Sequence, residues 1–390
     1  MNKKDLEHLK RTKLLVVGAG ISGSVVAERI ASDCGQKVAV IDRRDHAGGN
    51  CYSYPDPATG IECHAYGTHI FHTSDKEVIS YIKRFCSLNR YRHRVFTSHK
   101  GDLFELPVNL TTINRFYKQH FSPAQAKRFL KKEAAREGSK RPGNLEEKAL
   151  LTLGRPLYEA FFKGYTKKQW ATDPKDLPPG ILERLPLRFT GKTGYFDDRC
   201  QGLPLRGYFG LFSNMLKHKN IRLMLRTDYF SIEKYLPSGC LVIFTGPIDR
   251  FYGYKHGRLG WRSLRFDVLR PRTGNFQNRA VVNYADENVK YTRIHEFRHL
   301  HPERRYTKSR TVISKEYPVP AGRSSDPYYP IGSREDLATL RKYEKESQKE
   351  RNTLFLGRLG RYKYLDMDDA IKEALEFYRK VLKKKCLNLP

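Results

Sequence analysis

Residues 13–23 read Lys13-Leu-Leu-Val-Val-Gly-Ala-Gly-Ile-Ser-Gly23, and this stretch decides the fold. The apolar run Leu14–Val17 passes directly into Gly18-x-Gly20-x-x-Gly23, which predicts a buried parallel strand followed by a tight turn. Ser24 to Ala31, with Val25, Val26, Ile30 and Ala31 apolar, reads as the helix after that turn. Lys37-Val-Ala-Val-Ile-Asp42 supplies a second strand and closes a βαβ unit that ends in a carboxylate. Gly18 allows the tight turn, Gly20 lets the backbone approach a pyrophosphate at the helix N-terminus, and Gly23 permits close helix–strand packing. Asp42 can accept hydrogen bonds from a ribose diol. A lone glycine pattern is a weak signal. With strands, helix and acid at this spacing, it outweighs a glycine turn in an unrelated sheet.

The next segment, Arg43-Arg44-Asp45-His46-Ala47-Gly48-Gly49-Asn50, bears on which dinucleotide binds. A second glycine pair at this distance from the ribose acid resembles the FAD two-domain flavoproteins, where it lies along the cofactor's phosphates and ribityl chain. NADP is the rival, since Arg43 or Arg44 could hold a 2′-phosphate. No second Gly-x-Gly-x-x-Gly follows a strand elsewhere in the chain, so a separate nicotinamide domain is not expected.

Working outward, residues 74–182 are mostly helical in pattern. Asn144 with Glu146 and Glu147 marks a helix start before Leu145–Leu153, and Pro156 suits the first turn of a helix over Arg155–Lys163. Residues 195–317 are richer in Phe, Tyr, Val and Thr and read as antiparallel strands with long turns. Within them Leu241-Val-Ile-Phe-Thr-Gly246 returns to the buried-strand pattern and is expected to rejoin the nucleotide sheet. Asp366–Lys384 reads as an amphipathic helix with Ile371, Leu375, Tyr378 and Leu382 on one face. Its first turn is acidic and its last turn basic, both suited to the helix dipole. The expected architecture is α/β: an FAD-binding Rossmann-type parallel-sheet domain with an inserted helical bundle domain and an antiparallel β-sheet domain. The first is discontinuous (1–75, about 205–250, and 340–390), the helical domain spans 76–182, and the antiparallel sheet takes 183–204 and 251–339.

The chain has 390 residues, 39% hydrophobic and 12% aromatic, which argues against disorder and allows two to three domains at about 150 residues each. No apolar run approaches the roughly 18 residues of a membrane span, and Met1–Arg11 lacks a signal-peptide core. Seven cysteines without a Cys-x-x-Cys pair exclude a zinc ribbon and a thioredoxin-type dithiol, and scattered thiols suit a cytoplasmic location. Lys plus Arg number 73 against 42 Asp plus Glu, a net +31 that favours acidic partners. The excess is distributed, with clusters at Lys127–Arg141, Arg298–Lys315 and Lys372–Pro390. Solvated faces therefore explain it better than one nucleic-acid groove, and nucleic acid is not the expected partner.

Several residues could carry chemistry. His64, His69 and His72 fit no metal-ligand spacing and read as turn or cofactor contacts, so no metal is expected. Phe161-Phe162 and Gly164-Tyr165-Thr166-Lys167-Lys168-Gln169-Trp170 could stack a base and hold a sugar, or simply pack a helix end. Arg184 and Arg293 could each grip a diphosphate bidentately, and Tyr328, Tyr329, Tyr362 and Tyr364 could donate to phosphate oxygens.

Read together, Gly67-Thr-His-Ile-Phe-His-Thr73, Lys163–Trp170, Glu316-Tyr-Pro, Pro327-Tyr-Tyr-Pro-Ile331 and Gly357–Asp368 resemble, in order, the UDP-galactopyranose mutase family. The resemblance runs from about Thr12 to Leu382. It implies an isomerase, an intramolecular transferase that interconverts UDP-galactopyranose and UDP-galactofuranose and supplies galactofuranose for cell-wall or lipopolysaccharide polysaccharide. It also implies FAD that is reduced but not consumed. In that family flavin N5 attacks the anomeric carbon and displaces UDP; the adduct opens to an iminium, and the sugar recloses with the other ring size. A homodimer is expected on the same ground.

Position by position, Arg184 and Arg293 match the diphosphate arginines, with Tyr195, Tyr329 and Tyr364 beside them. Phe161, Phe162, Tyr165, Thr166 and Trp170 match uridine-side and lid contacts, and Asn283 a further substrate contact. Gly18, Gly20, Ser22, Gly23, Asp42, Arg43, Gly49, Asn50, His69, Ile70, Asp228, Tyr229 and Arg358 match cofactor positions. Leu365, Asp366, Met367, Asp368 and Asp369 complete that set, at a helix start that would favour an anionic reduced flavin. Two positions depart from the family pattern. His93 stands where Asn usually lies beside the uracil, which could make that contact pH-dependent, and Thr68 stands where Pro or Ala often precedes the His-Ile-Phe-His run. These leave N-acetylated UDP-sugars open as substrates. A basic FAD-dependent tRNA-modifying enzyme and another FAD oxidoreductase are the alternatives. The first would need basic residues converging on one groove and a nicotinamide or folate site, neither visible in the sequence, and the second does not account for Lys-Gln-Trp or the paired arginines.

Overall fold

The computed structural model describes residues 3–138, 141–184, 186–322 and 325–387, without the side chains of Glu183 and Arg184. Its first layer is a five-stranded parallel sheet in the order Thr353–Phe355, Leu241–Phe244, Leu14–Val17, Val38–Ile41, Ile221–Met224. Three of these strands, Leu14–Val17, Val38–Ile41 and Leu241–Phe244, are buried along their whole length, which is why their sequences are unbroken apolar runs rather than alternating ones. The strand at 241–244 pairs with Leu14–Val17 in parallel register, as its composition predicts.

Helix Ile21–Asp33 follows the glycine turn and covers one face of the sheet. Gly18 has φ +104°, and a Cβ there would collide with Thr245 Oγ1. A Cβ on Gly23 would collide with the carbonyl of Gly18, so this glycine sets how closely helix and strand approach.

The second layer is a seven-stranded sheet in the order Tyr329–Pro330, Trp261–Leu269, Ile313–Pro320, Arg293–Glu296, Val281–Tyr284, Val95–His99, Asp102–Leu106. Two expectations change here. The stretch read as helical contributes the hairpin Val95–His99 and Asp102–Leu106, and Val281–Tyr284 pairs with Val95–His99 in parallel, so the sheet is mixed. Val95, Phe96 and Thr97 are buried, so no polar alternation marks this short strand, and Arg-rich flanks hide it further.

Helices fill the intervening segment. Leu145–Leu153 starts where the sequence predicts, with the Asn144 side chain accepting from Glu147 N–H. Arg155–Tyr158 continues through a wider turn at Glu159–Lys163 into helix Gly164–Trp170. Near the C-terminus, helix Met367–Phe377 buries Ile371 and Leu375 against helix Ile21–Asp33, and Tyr378 and Leu382 continue the buried face. No described helix is long and apolar enough to cross a membrane.

Candidate active site

A cavity of about 760 Å3 lies along the carboxyl ends of Leu14–Val17, Val38–Ile41 and Leu241–Phe244. The chain leaves Leu14–Val17 toward one edge of the sheet and returns on its other side, so this is the crevice where open α/β sheets bind ligands. Gly18, Gly20, Ser22, Asp42, Arg43, Gly49 and Asn50 line it. The two glycine segments touch, with Gly48 N–H donating to Ala19 O at 2.8 Å, and neither Gly20 nor Gly49 presents a side chain to the space between. Asp42 accepts from Ala19 N–H (2.8 Å) and Arg44 N–H (2.9 Å), which fixes the carboxylate while leaving lone pairs for a ribose. No side chain caps the N-terminus of helix Ile21–Asp33, so its first-turn N–H groups are available to an anion. These features fit a dinucleotide.

Gly18→Ala tests that bed. The substitution strains a positive φ and meets Thr245, so purified protein is expected to carry less than about a tenth of the wild-type cofactor, read from its absorbance per polypeptide.

The far end of the cavity is formed by His69, Arg358, Leu365, Asp366 and Met367, while Asp228 and Tyr229 line it beside Asp42, whose carbonyl accepts from Thr227 N–H (2.8 Å). His69 Nδ1–H donates to Gly67 O (2.8 Å), and burial pushes its pKa down to about 4, so the ring is neutral with an Nε2 lone pair. The uncapped N-terminus of helix Met367–Phe377 faces the same end through Asp366 and Met367. Arg358 donates to Tyr328 O (3.2 Å) and to Leu365 O, and lies 4.6 Å over the Tyr364 ring.

Arg358 leads from the cavity to a second cluster. Tyr364 stacks on Tyr329 with centroids 6.1 Å apart, the Arg293 charge bears on the Tyr329 hydroxyl, and Trp170 lies 6.5 Å from Tyr329. Arg293 also sits 5.7 Å over Tyr165, and Asn283 is its cross-strand partner. Asn283 Oδ1 and the Tyr165 hydroxyl are buried without a hydrogen-bond partner among the described residues, a condition a bound polar ligand would relieve.

Beneath Arg293 lies a chain that the sequence reading does not contain. Glu316, 1% exposed, accepts from Arg293 (3.2 Å), Thr292 (3.3 Å) and His295 Nε2–H (3.0 Å), while the Thr68 hydroxyl donates to His295 Nδ1 (2.8 Å). Burial alone would raise the Glu316 pKa; Arg293, with the His295 and Thr292 bonds, holds it at about 2. Thr68, noted above as a departure, therefore joins the wall beside His69 to the support of Arg293.

Other expected residues lie elsewhere. Gly23 and Ile70 are packed in the interior, Asp368 turns toward Thr73, and Asp369 is exposed; none lines the cavity. Phe161 sits among Phe104, Phe116 and His99, and Phe162 and Thr166 are buried. His93 is buried against Tyr195 and Phe196 and accepts from the Tyr91 hydroxyl. Burial pushes its pKa down to about 3, so the imidazole is neutral at physiological pH and the pH-dependent contact expected there is withdrawn. Arg184 closes the short helix Pro179–Arg184, and the expectation for its guanidinium lies outside the described side chains.

The sequence reading missed Thr245, Arg250, Arg258, Trp261 and Arg262, all of which line the cavity. A strand ending in Thr245-Gly246 at the carboxyl edge of the sheet could have pointed to the first; Arg250 and Arg258 lie in the connection that leaves this strand, Trp261 and Arg262 open a strand of the second sheet, and none of these four carries a local signal. Among the described residues no group of three or more His, Cys, Asp or Glu is arranged to hold a metal ion.

The architecture and this site can be set beside known proteins. A family profile described as UDP-galactopyranose mutase matches residues 160–364, and one described as NAD(P)-binding Rossmann-like domain matches 16–85. A probable UDP-galactopyranose mutase of Klebsiella pneumoniae is 42% identical over 94% of this chain and 94% of its own. A dTDP-fucopyranose mutase of Escherichia coli is 39% identical over 93% and 97%, and a UDP-galactopyranose mutase of Mycoplasma genitalium 32% over 92% of each chain. In fold, the crystal structure of reduced UDP-galactopyranose mutase superposes with a TM-score of 0.71 at 15% identity, covering 96% of this chain and 94% of that one. The chain belongs to the UDP-galactopyranose mutase family.

Proposed function

We propose that this protein binds FAD and interconverts UDP-galactopyranose and UDP-galactofuranose. The observation that carries the reading is a cationic and phenolic grip, Arg293 with Tyr329 and Tyr364, continuous with a dinucleotide cavity through Arg358. Bound in its reduced form, FAD supplies the nucleophile for the anomeric carbon, so the protein needs no carbon acid–base pair of its own. Arg293 and Tyr329 hold the diphosphate before and after it leaves, keeping it within reach for its return. Tyr165 and Asn283 offer unpartnered polar atoms to substrate hydroxyls, and Trp170 offers a ring to the base. Arg358 and the N-terminus of helix Met367–Phe377, both on the cavity wall, would supply positive charge to a reduced, electron-rich cofactor. All seven cysteines are free, which suits action in the reducing cytoplasm.

The Escherichia coli relative supports a second reading, in which the sugar nucleotide is dTDP-fucopyranose and the same residues serve the same steps. The test is to reduce the purified yellow protein with dithionite, add UDP-galactofuranose, and follow UDP-galactopyranose by chromatography. Conversion that requires reduction establishes the mutase. No conversion with flavin bound, but turnover of the dTDP sugar or of an N-acetylated UDP sugar, reassigns the substrate. Failure with all three sinks the mutase reading.

A further inference from the structure

One cation near this site is not accounted for by the reading above. Lys168, in helix Gly164–Trp170, aims its ammonium into a ring of main-chain carbonyls: Tyr284 O (2.7 Å), Asp286 O (2.9 Å), Val289 O (2.9 Å) and Tyr291 O (3.3 Å). No carboxylate lies within ion-pair distance of it among the described residues; its charge is met by oriented carbonyl dipoles. Tyr284 ends strand Val281–Tyr284, and the other three carbonyls belong to the turn that joins it to Arg293–Glu296. The residues that turn joins include Asn283 and Arg293, which face each other across the ladder. The same helix carries Tyr165, Thr166 and Trp170.

Two further contacts tie helix to turn. A Cβ on Gly164 would run into Ala285 O, so the helix starts directly against the turn, and Lys167 lies 3.9 Å from Glu287. Neither donates a hydrogen bond to the turn's carbonyls. Left without Lys168, carbonyls converging on one point would repel and turn outward toward water, and the turn would lose its shape.

We propose that Lys168 is a positioning residue. Its ammonium organises the carbonyls of the 285–292 turn and so fixes Arg293 and Asn283 relative to Tyr165 and Trp170, joining the two halves of the nucleotide grip into one pre-formed site. This rests on the UDP-sugar reading of that grip. Burial pushes the lysine pKa down to about 8, with Asp286 and Glu287 opposing, so the ammonium is the major form at neutral pH.

The test is UDP binding to the oxidised FAD-loaded protein by titration calorimetry, which involves no turnover. Lys168→Met keeps the stem and its packing but removes the charge. It is expected to weaken UDP binding roughly 10- to 100-fold and to lower the thermal midpoint, while flavin content stays near wild type. Lys168→Ala leaves room for a replacement cation. Propylammonium at millimolar concentration is expected to restore UDP binding to it, and tetramethylammonium, which has no N–H to donate, to have no effect. Wild-type affinity in Lys168→Met, or a loss in Lys168→Ala that propylammonium does not reverse, overturns the proposal. Wild-type protein that fails to bind UDP overturns the nucleotide-sugar reading itself, and the two failures are told apart by that control.

Discussion

Arg293→Lys is expected to lower kcat/KM for the sugar nucleotide by roughly 10²- to 10³-fold while leaving flavin content unchanged. Lysine keeps a positive charge over buried Glu316, so the carboxylate retains a cationic neighbour and the fold is preserved. What disappears is the planar fork. The guanidinium spans Glu316, the Tyr329 hydroxyl and the face of Tyr165, and one ammonium cannot reach all three while still meeting a diphosphate. The loss should therefore fall on kcat as well as KM, since the leaving diphosphate must be held after the bond breaks. Arg293→Ala is the harsher control: it leaves Glu316 without its cation and is expected to lose stability as well as turnover. Steady-state kinetics together with flavin absorbance separates the two cases. Near-wild-type kcat/KM in Arg293→Lys would remove this arginine from the mechanism.

Glu316→Gln is expected to destabilise the protein by about 3 kcal/mol at neutral pH, measured by urea denaturation. The carboxylate is held at about 2, below its ordinary value of 4.5, so it binds a proton less readily folded than unfolded. Its contribution to stability is therefore complete above the unfolded value and is lost as pH falls from about 4.5 toward 2. The gap between wild type and Glu316→Gln should stay constant from pH 8 to pH 5.5 and narrow below pH 4.5. Glutamine also breaks the bond pattern, since it cannot accept from Arg293, Thr292 and His295 as a carboxylate does, and Thr68 then loses a fixed partner. A gap independent of pH down to 3.5 would mean that Glu316 is not held ionised by Arg293.

His93 shows why a departure from pattern has to be judged in place. As a sequence letter it introduces a group that titrates near neutrality. Buried against Tyr195 and Phe196, it is pushed well below that range, so it serves as a neutral aromatic hydrogen-bonding group. Thr68 goes the other way: unremarkable in the sequence, it becomes the first member of the chain through His295 and Glu316 to Arg293.

By itself the sequence determined those features whose cause is local. The buried strand Leu14–Val17, the glycine turn, the helix after it and the acid at Asp42 follow from periodicity and backbone sterics within about 30 residues. The same holds for the Asn144 cap and the apolar face from Ile371 to Leu382, where each residue's neighbours are also its neighbours along the chain. Tertiary structure alone decided the rest. That Thr245 stands over Gly18, that the 95–106 hairpin completes the second sheet, and that Glu316 lies beneath Arg293 are contacts between residues 23 to 227 positions apart. Such contacts leave no periodicity to read. Charge told least of all: among 73 basic residues, what distinguishes Arg293 and Lys168 is what the folded sheet and helix place around each, the buried Glu316 carboxylate beside Arg293 and four main-chain carbonyls around Lys168.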